Sequence, residues 1–496
     1  MGRVPDDVPE ERWPRLLAQA WAALEAAPGG PGDAPLSQLA GGPGALEVTG
    51  DPGQLPSHLA VEDTAIACAG AALLAAAALG AQREHDGGRS AGGTDPRTAR
   101  LDRGQLAAAV RSEAYLRVNG LRVSGQRSGS GFAPLSRFWR AADGWVRTHG
   151  NYPWHADALR RALGLPSGAS ADPEPVAAAI AGLRARDVED LVTGAGGIAA
   201  AVRSADDWLA SPPGQAVTAM RLVEGTQIGD APGRIRPAGR LPAAGIRVLD
   251  LTRVIAGPVA TRFLAALGGD VLRLDSPHRP ELPLHARDGL PGKRSALLDL
   301  GAADGTAGLH ELLSGADVLV HGYRPHALDR FGLTPDALAE RHPGLVVVSL
   351  SAWGSTGPWG GRRGFDSIVQ AACGIAMAES GDGERPGALP CQLLDHGTGY
   401  LCAAAALRAL ARQATHGGTQ FRELALARTA SWLLSQDRHE PAPEPGPAAG
   451  QPTWFITLDS AEGPVTMVRP PGELHGARLG WPGPLHRYGG DPARWS

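Results

Sequence analysis

The sequence predicts an α/β protein: a Rossmann-like large domain, a parallel sheet with helices on both faces, beside a smaller α/β domain. Three observations predict it. Short apolar runs alternate with helical stretches over residues 243–435. Each run stops at a polar or glycine-bearing turn, as GIRVLDLT stops at TRVIAGP. The spacing leaves room for a helix between one run and the next, as parallel crossovers require.

Taken in order, GIRVLDLT is the first strand. VATRFLAALG is an amphipathic helix closed by Gly268, and DVLRLD is the second strand. ALLDL, a helix to about residue 313, ADVLVHG and LVVVSLSAWG continue the alternation. Ligands on such sheets bind in the crevice beyond the strand C-termini, so the loops after the strands are the ones to read.

Around this core the chain divides into further regions. Residues 1–130 are mainly helical in pattern, with a polar loop at 86–98. Residues 131–235 form a small α/β domain. Residues 436–452 are a Pro-rich linker containing EPAPEPGPAAGQP, and 453–496 a β-like tail returning to the large domain, with PTWFITLD and GPVTMVRP as its strands.

Bulk properties exclude several function classes. A net charge of −4 over 496 residues, with no basic stripe interleaved with aromatics, argues against nucleic-acid binding. Cys68, Cys373, Cys391 and Cys402 lack CxxC or metal spacing and read as buried thiols of a reducing compartment. The first residues carry charges of both signs and no apolar core, unlike a signal peptide. The apolar stretch Ala65 to Leu79 is shorter than the roughly 20 residues of a span, so it reads as a buried core helix. A soluble cytoplasmic protein with no membrane partner is expected.

The loop after the first strand holds Arg253, Ile255, Ala256 and Gly257, with Pro258 suited to the first turn of the next helix. Such a helix start favours an anion, although many such turns are only structural. Gly292–Lys293–Arg294 is either a phosphate clamp or a solvated basic turn. Lys293 is the single lysine among 47 basic residues. Tyr323 offers a flat face to a purine and Arg330 a phosphate partner, or both belong to an ordinary helix start. Arg362 and Arg363 add charge to a glycine-rich stretch. Asp395 stands at the mouth of an apolar helix, either as its cap or as a reactive carboxylate held by the same N–H groups.

These segments, in this order, resemble the family III coenzyme A (CoA) transferases, whose relatives include the α-methylacyl-CoA racemases. The strings that carry the resemblance are VLDLTRVIAGPVATRFLAALGGDVLRLD, GKRSALLDL, ADVLVHGYRPHALDRFGL, GFDSIVQAACGIA and LLDHGTGYLCAAAALRAL. The resemblance implies Asp395 as catalytic residue. It implies CoA contacts from Arg253, Ile255, Ala256, Lys293, Tyr323, Arg330 and Arg363. It further implies an aspartyl-CoA thioester, acyl-CoA and a carboxylic acid as substrates, no permanently bound cofactor and no metal. Three positions depart from the pattern. Phe365 stands where the racemases place an acid/base histidine, Ile255 where a polar glutamine is frequent, and the second-loop arginine of some members is replaced near Pro277, although Arg279 is close.

The order of parts also departs. FAPLSRFWRAADGWVRTHGNYPWHADALRRALGLP resembles the family's small domain yet precedes the large one. LPSHLAVEDTAIACAGAALLAAAAL at 55–79 echoes LPCQLLDHGTGYLCAAAALRAL at 389–410, with Val61 opposite Asp395. A rearranged fusion is expected, with residues 1–130 a degenerate second half of a transferase large domain. SGQRSGSGF at 124–132 resembles a shielding glycine loop. The chain then makes an internal pseudo-dimer or forms a homodimer. CoA transfer is the first reading. A CoA-binding homologue with little activity, and an acyl-CoA racemase or isomerase, are the alternatives.

Overall fold

A computed structural model describes residues 11–25, 42–86, 99–123, 132–166, 168, 172–443 and 451–496. The main sheet has seven strands. They are β1 (Glu224–Gly229), β2 (Arg247–Leu251), β3 (Asp270–Asp275), β4 (Lys293–Leu297), β5 (Val318–His321), β6 (Val346–Ser351) and β7 (Thr419–Ala425). Their order is β4-β3-β2-β5-β6-β7-β1. All neighbours are parallel except β7 and β1. β2 to β7 therefore follow the Rossmann order, which reverses between β2 and β5. The edge strand β1 comes from the end of the region expected to be the small domain.

The inner strands are apolar on both faces, as a parallel sheet covered by helices demands. Val248, Leu249, Val318, Leu319, Val346 and Val347 are all fully buried. Five helices matter for the site: α1 (Val61–Asp86), α2 (Ala256–Ala266), α3 (Asp366–Cys373), α4 (Leu393–His416) and α5 (Leu426–Leu434). α1 packs along α4, and α4 on α2. Small residues let them approach. A Cβ on Gly397 would stand 3.3 Å from the Cys68 sulfur, and one on Gly399 would stand 2.5 Å from the Ala256 carbonyl oxygen. α1 is long and apolar enough to cross a membrane, yet 89% of its apolar window is buried inside the fold. A helix apolar all round is an interior helix.

The N-terminal region is less helical than its pattern suggests. Leu46–Thr49 and Ala99–Asp102 pair in parallel, and α1 lies between them in the chain. β6 and β7 pair in parallel likewise, with α4 between them. Each unit ends in a helix, Arg103–Ala109 or α5. Two parallel strands joined through a long helix and followed by a further helix thus occur twice, the second copy also carrying α3 and the helix Ile375–Ala378 ahead of its long helix. The small domain has a three-stranded sheet of Phe138–Arg140, Trp145–Thr148 and Ala199–Ala201, with its own core around Trp139, Val146, Ile180 and Val188.

The tail reaches three places. Val465–Val468 pairs with Arg117–Val118, and Glu473–Leu474 with Ala99–Arg100. The Trp481 indole donates to the Arg262 carbonyl on α2 at 2.8 Å. The glycine loop at 124–132 (save Phe132) and most of the loop at 86–98 lie outside the described residues, as does the linker from 444 to 450.

Candidate active site

Helices of a crossover run antiparallel to the strands, so the start of α4 lies at the C-terminal edge of the sheet. Asp395 is in its first turn. Asp395 is not the cap of the helix, and the first-turn N–H groups do not hold its side chain. Gln392 occupies the cap position without a side-chain bond. The cap comes from another helix: Asp366, first residue of α3, accepts the Asp395 N–H at 3.1 Å and also takes the Leu394 N–H. The Asp395 carboxyl itself receives no hydrogen bond among the described residues. It is 6% exposed.

Burial is the main force on this carboxyl. It raises the Asp395 pKa well above the usual range, and the nearby Asp366 and Glu113 charges add to it. Asp366 is pushed up to about 6 by burial, against the hydrogen bonds from Gln370, Asp395 and Leu394. Two adjoining buried carboxylates resist ionising together.

Glu113 comes from the short helix Ser112–Tyr115, far outside the segment that resembles the family. Arg262 of α2 fastens that helix: it donates to the Ser112 hydroxyl at 3.0 Å and to Asp288 at 2.8 Å. Glu113 Oε2 stands 3.7 Å from His396 Nε2. The small domain supplies a further wall. His149 stacks on Phe365 with centroids 3.8 Å apart, and burial drives its pKa well below normal. Neither Glu113 nor His149 was singled out from the sequence. The density of aromatics and histidines in THGNYPWH was the available signal for His149; SEAY carries none.

The CoA-contacting expectations divide. Arg253 lies with its guanidinium 5.0 Å from the Tyr152 ring centroid and 5.8 Å from that of Trp154. It donates to the carbonyls of Arg279 and Pro280 at 2.8 and 2.7 Å. The next residue, Val254, has φ +66°, a strained value for a β-branched side chain of the kind that collects at functional loops. Ile255 and Ala256 are buried beneath it, 2% and 5% exposed. Tyr323 is half-buried and close enough to Arg253 for their charges to interact. Arg279 lies over Trp154 at 5.2 Å. Burial, then Arg363, Arg279 and Arg253, depress the His155 pKa to about 4. Burial, Arg324 and Arg279 do the same in kind to Arg363. Arg253, Arg279, Arg324 and Arg363 thus form a cationic rim around Trp154 and His155. Arg279 and Arg324 were not among the expected contacts.

Two expected residues stand elsewhere. Lys293 begins β4, at the opposite edge of the sheet, and its side chain is fully buried. Its amine bonds Asp250 at 2.9 Å, Thr261 at 2.6 Å and the Pro258 carbonyl at 3.2 Å. Burial lowers its pKa to about 8, with Asp250 opposing. Arg294 pairs with Asp270 at 2.8 Å. Neither is presented to a phosphate. Arg330 is exposed and lies 4.6 Å from the Phe331 ring, without a contact to the rim. Among the described residues no cluster of His, Cys, Asp and Glu is placed to hold a metal ion.

Residues 243–453 match the family model described as CoA-transferase family III. The chain is 31% identical over 230 residues to a probable fatty acyl-CoA transferase of Mycobacterium tuberculosis, covering 42% of this chain and 58% of that one. It is 36% identical over 178 residues to the formyl-CoA:oxalate CoA-transferase of Streptomyces coelicolor, covering 34% and 43%. A crystal structure of the M. tuberculosis protein aligns with a TM-score of 0.37 at 33% identity, covering 39% of this chain and 55% of that one. The chain spans about half the length of the curated relatives it matches.

Proposed function

We propose that this chain, whose residues 243–453 match CoA-transferase family III, moves CoA from an acyl-CoA to a carboxylic acid with Asp395 as nucleophile. One observation carries the reading. Asp395 has its main chain fixed by Asp366 and its side chain left without a hydrogen bond among the described residues, at the sheet edge where ligands of such folds lie.

The chemistry is covalent. Ionised Asp395 attacks the thioester carbonyl, giving an aspartyl anhydride and CoA thiolate. The thiolate attacks the aspartyl carbonyl, which forms the aspartyl-CoA thioester and frees the donor acid. The acceptor carboxylate attacks that thioester, and the returning thiolate takes the new acyl group. No oxidant, reductant or bound cofactor is consumed. The first-turn N–H groups of α4 are already engaged by Asp366, so oxyanion stabilisation must come from other donors. The rim of Arg253, Arg279, Arg324 and Arg363 suits the CoA phosphates, and Trp154 offers the adenine a flat face. Burial of Asp395 keeps water from the intermediates.

Phe365 in place of an imidazole disfavours racemisation. A cytoplasmic location fits the four free, buried cysteines. The repeated strand–helix–strand–helix unit supports an internal pseudo-dimer in which Val61 replaces the nucleophile. A second reading, CoA binding with little turnover, has one observation behind it: burial and the neighbouring Asp366 and Glu113 charges all disfavour the ionised, nucleophilic form of Asp395. Incubating acyl-CoA donors with a panel of carboxylic acids, followed by mass detection of new CoA thioesters, tests the proposal. New thioesters absent from Asp395→Ala support transfer. CoA binding without exchange supports the second reading.

A further inference from the structure

Four separate stretches of chain meet at Glu281, a residue that the transfer chemistry does not use. Glu281 lies between β3 and the helix Pro283–Asp288, and its side chain is fully buried. Its Oε1 accepts the Tyr152 hydroxyl of the small domain and the Leu282 N–H at 2.8 Å. Its Oε2 accepts the Val254 N–H at 2.9 Å and the Arg273 guanidinium of β3 at 3.1 Å. Arg253 stands 3.7 Å from Oε1. The main-chain N–H of Glu281 donates to the Tyr488 hydroxyl of the tail at 3.0 Å. Although burial opposes it, Arg273 and Arg253 hold the carboxyl down at a pKa of about 2, so it is an anion at neutral pH.

A buried acid beside an arginine is most simply that arginine's partner. Here Arg273 already has one, since Asp275 accepts from it at 2.7 and 3.1 Å. Glu281 adds a hold on two parts of the cationic rim. It fixes the main chain at Val254, whose φ of +66° is a strained value that surrounding contacts must maintain. It also fixes the Tyr152 ring by its hydroxyl. That ring stacks on Trp154, with centroids 4.7 Å apart and planes 19° from parallel. The Arg253 guanidinium lies 5.0 Å from the Tyr152 centroid, and that of Arg279 lies 5.2 Å from the Trp154 centroid. Arg253 in turn donates to the carbonyls of Arg279 and Pro280, the two residues before Glu281. The loop and the stack thus hold each other, with Glu281 bonded to both.

We propose that Glu281 is a positioning residue for coenzyme binding: through the Tyr152 hydroxyl and the Val254 N–H it locks the small domain's Tyr152–Trp154 pair against Arg253, and so sets the place of the nucleotide end of CoA. This deepens the proposed function and rests on its CoA binding, not on any step of the chemistry. Buried as it is, Glu281 acts on the ligand only through these neighbours. It therefore governs how well CoA is held and not how fast the thioester reacts.

Tyr152→Phe tests this with the least disturbance. It keeps the ring and leaves Arg273 paired with both acids, but removes the hydroxyl that Glu281 holds. Glu281→Gln is the second variant, which keeps the shape and removes the charge. Each is titrated calorimetrically with an unreactive acyl-CoA thioether and with the matching acyl-pantetheine thioether, which lacks the nucleotide. Positioning predicts that both variants bind the CoA thioether about tenfold more weakly, the worth of roughly one hydrogen bond. The pantetheine thioether should bind them as it binds the native protein. In an Arg253→Ala background Tyr152→Phe should have no further effect, because the two act on one contact. Native affinity for the CoA thioether in Tyr152→Phe overturns the proposal. So does an equal loss for both ligands, the mark of a structural role alone, and so does a native protein that binds neither. The transfer reading fails separately. CoA binding that depends on the Tyr152 hydroxyl, without exchange between any donor and acid, rejects transfer and keeps the positioning role. Exchange with CoA affinity unchanged in Tyr152→Phe does the reverse.

Discussion

The main-chain N–H of Asp395 donates to the Asp366 carboxylate at 3.1 Å, so one acid caps the helix and the other keeps a side chain with no hydrogen bond among the described residues. Asp366 is raised to about 6 mainly by burial. The folded state therefore holds its proton more tightly than the unfolded chain does. The stability this adds is complete below the unfolded pKa and is lost as pH rises through about 6. Calorimetric Tm values should fall as pH is raised across that window, and Asp366→Asn should flatten the fall. A native Tm that climbs through the same window contradicts the assignment.

Lys293 and the arginine rim should separate stability from binding. Lys293→Met leaves Asp250 buried and unpaired, which costs about 3–5 kcal/mol, read as a lowered urea midpoint. Arg279→Ala and Arg363→Ala should shift stability by about 0.5 kcal/mol or less. They should instead raise the KM for acyl-CoA about five- to tenfold at constant kcat, the pattern of lost uniform binding. Steady-state kinetics at two salt concentrations checks this, since higher salt should shrink the difference.

The α2–α4 contact depends on Gly399. A Cβ there would lie 2.5 Å from the Ala256 carbonyl oxygen and 2.9 Å from the Val259 Cβ. Overpacking of this kind costs about 1–3 kcal/mol. Gly399→Ala should therefore lower Tm and disturb the Val254–Ala256 loop, reducing kcat as well. Gly361→Ala, where nothing lies within 4 Å, is the control and should leave both unchanged.

The main sheet was legible because each of its parallel strands is an apolar run closed by a turn, and the position of Asp395 followed from the helix direction. Lys293 misled for a physical reason. GKRS has the look of a solvated turn, but Asp250, two strands away on β2 of the same sheet, draws the amine inward. That pairing has no local signal. Glu113 was invisible for the same reason: only tertiary contact through Arg262 and Asp288 brings SEAY to the site. In the tail, alternation marks Phe455–Leu458 and Val465–Val468 as strands. It does not encode that the second pairs with Arg117–Val118.

The proposed transfer requires that Asp395 become covalently attached to CoA. Adding borohydride during turnover with an acyl-CoA, then mapping peptides by mass spectrometry, tests it directly. Reduction of the Asp395 side chain to the alcohol is expected, dependent on acyl-CoA and confined to that residue. Sustained CoA exchange with Asp395 unmodified, or undiminished exchange in Asp395→Ala, would contradict it.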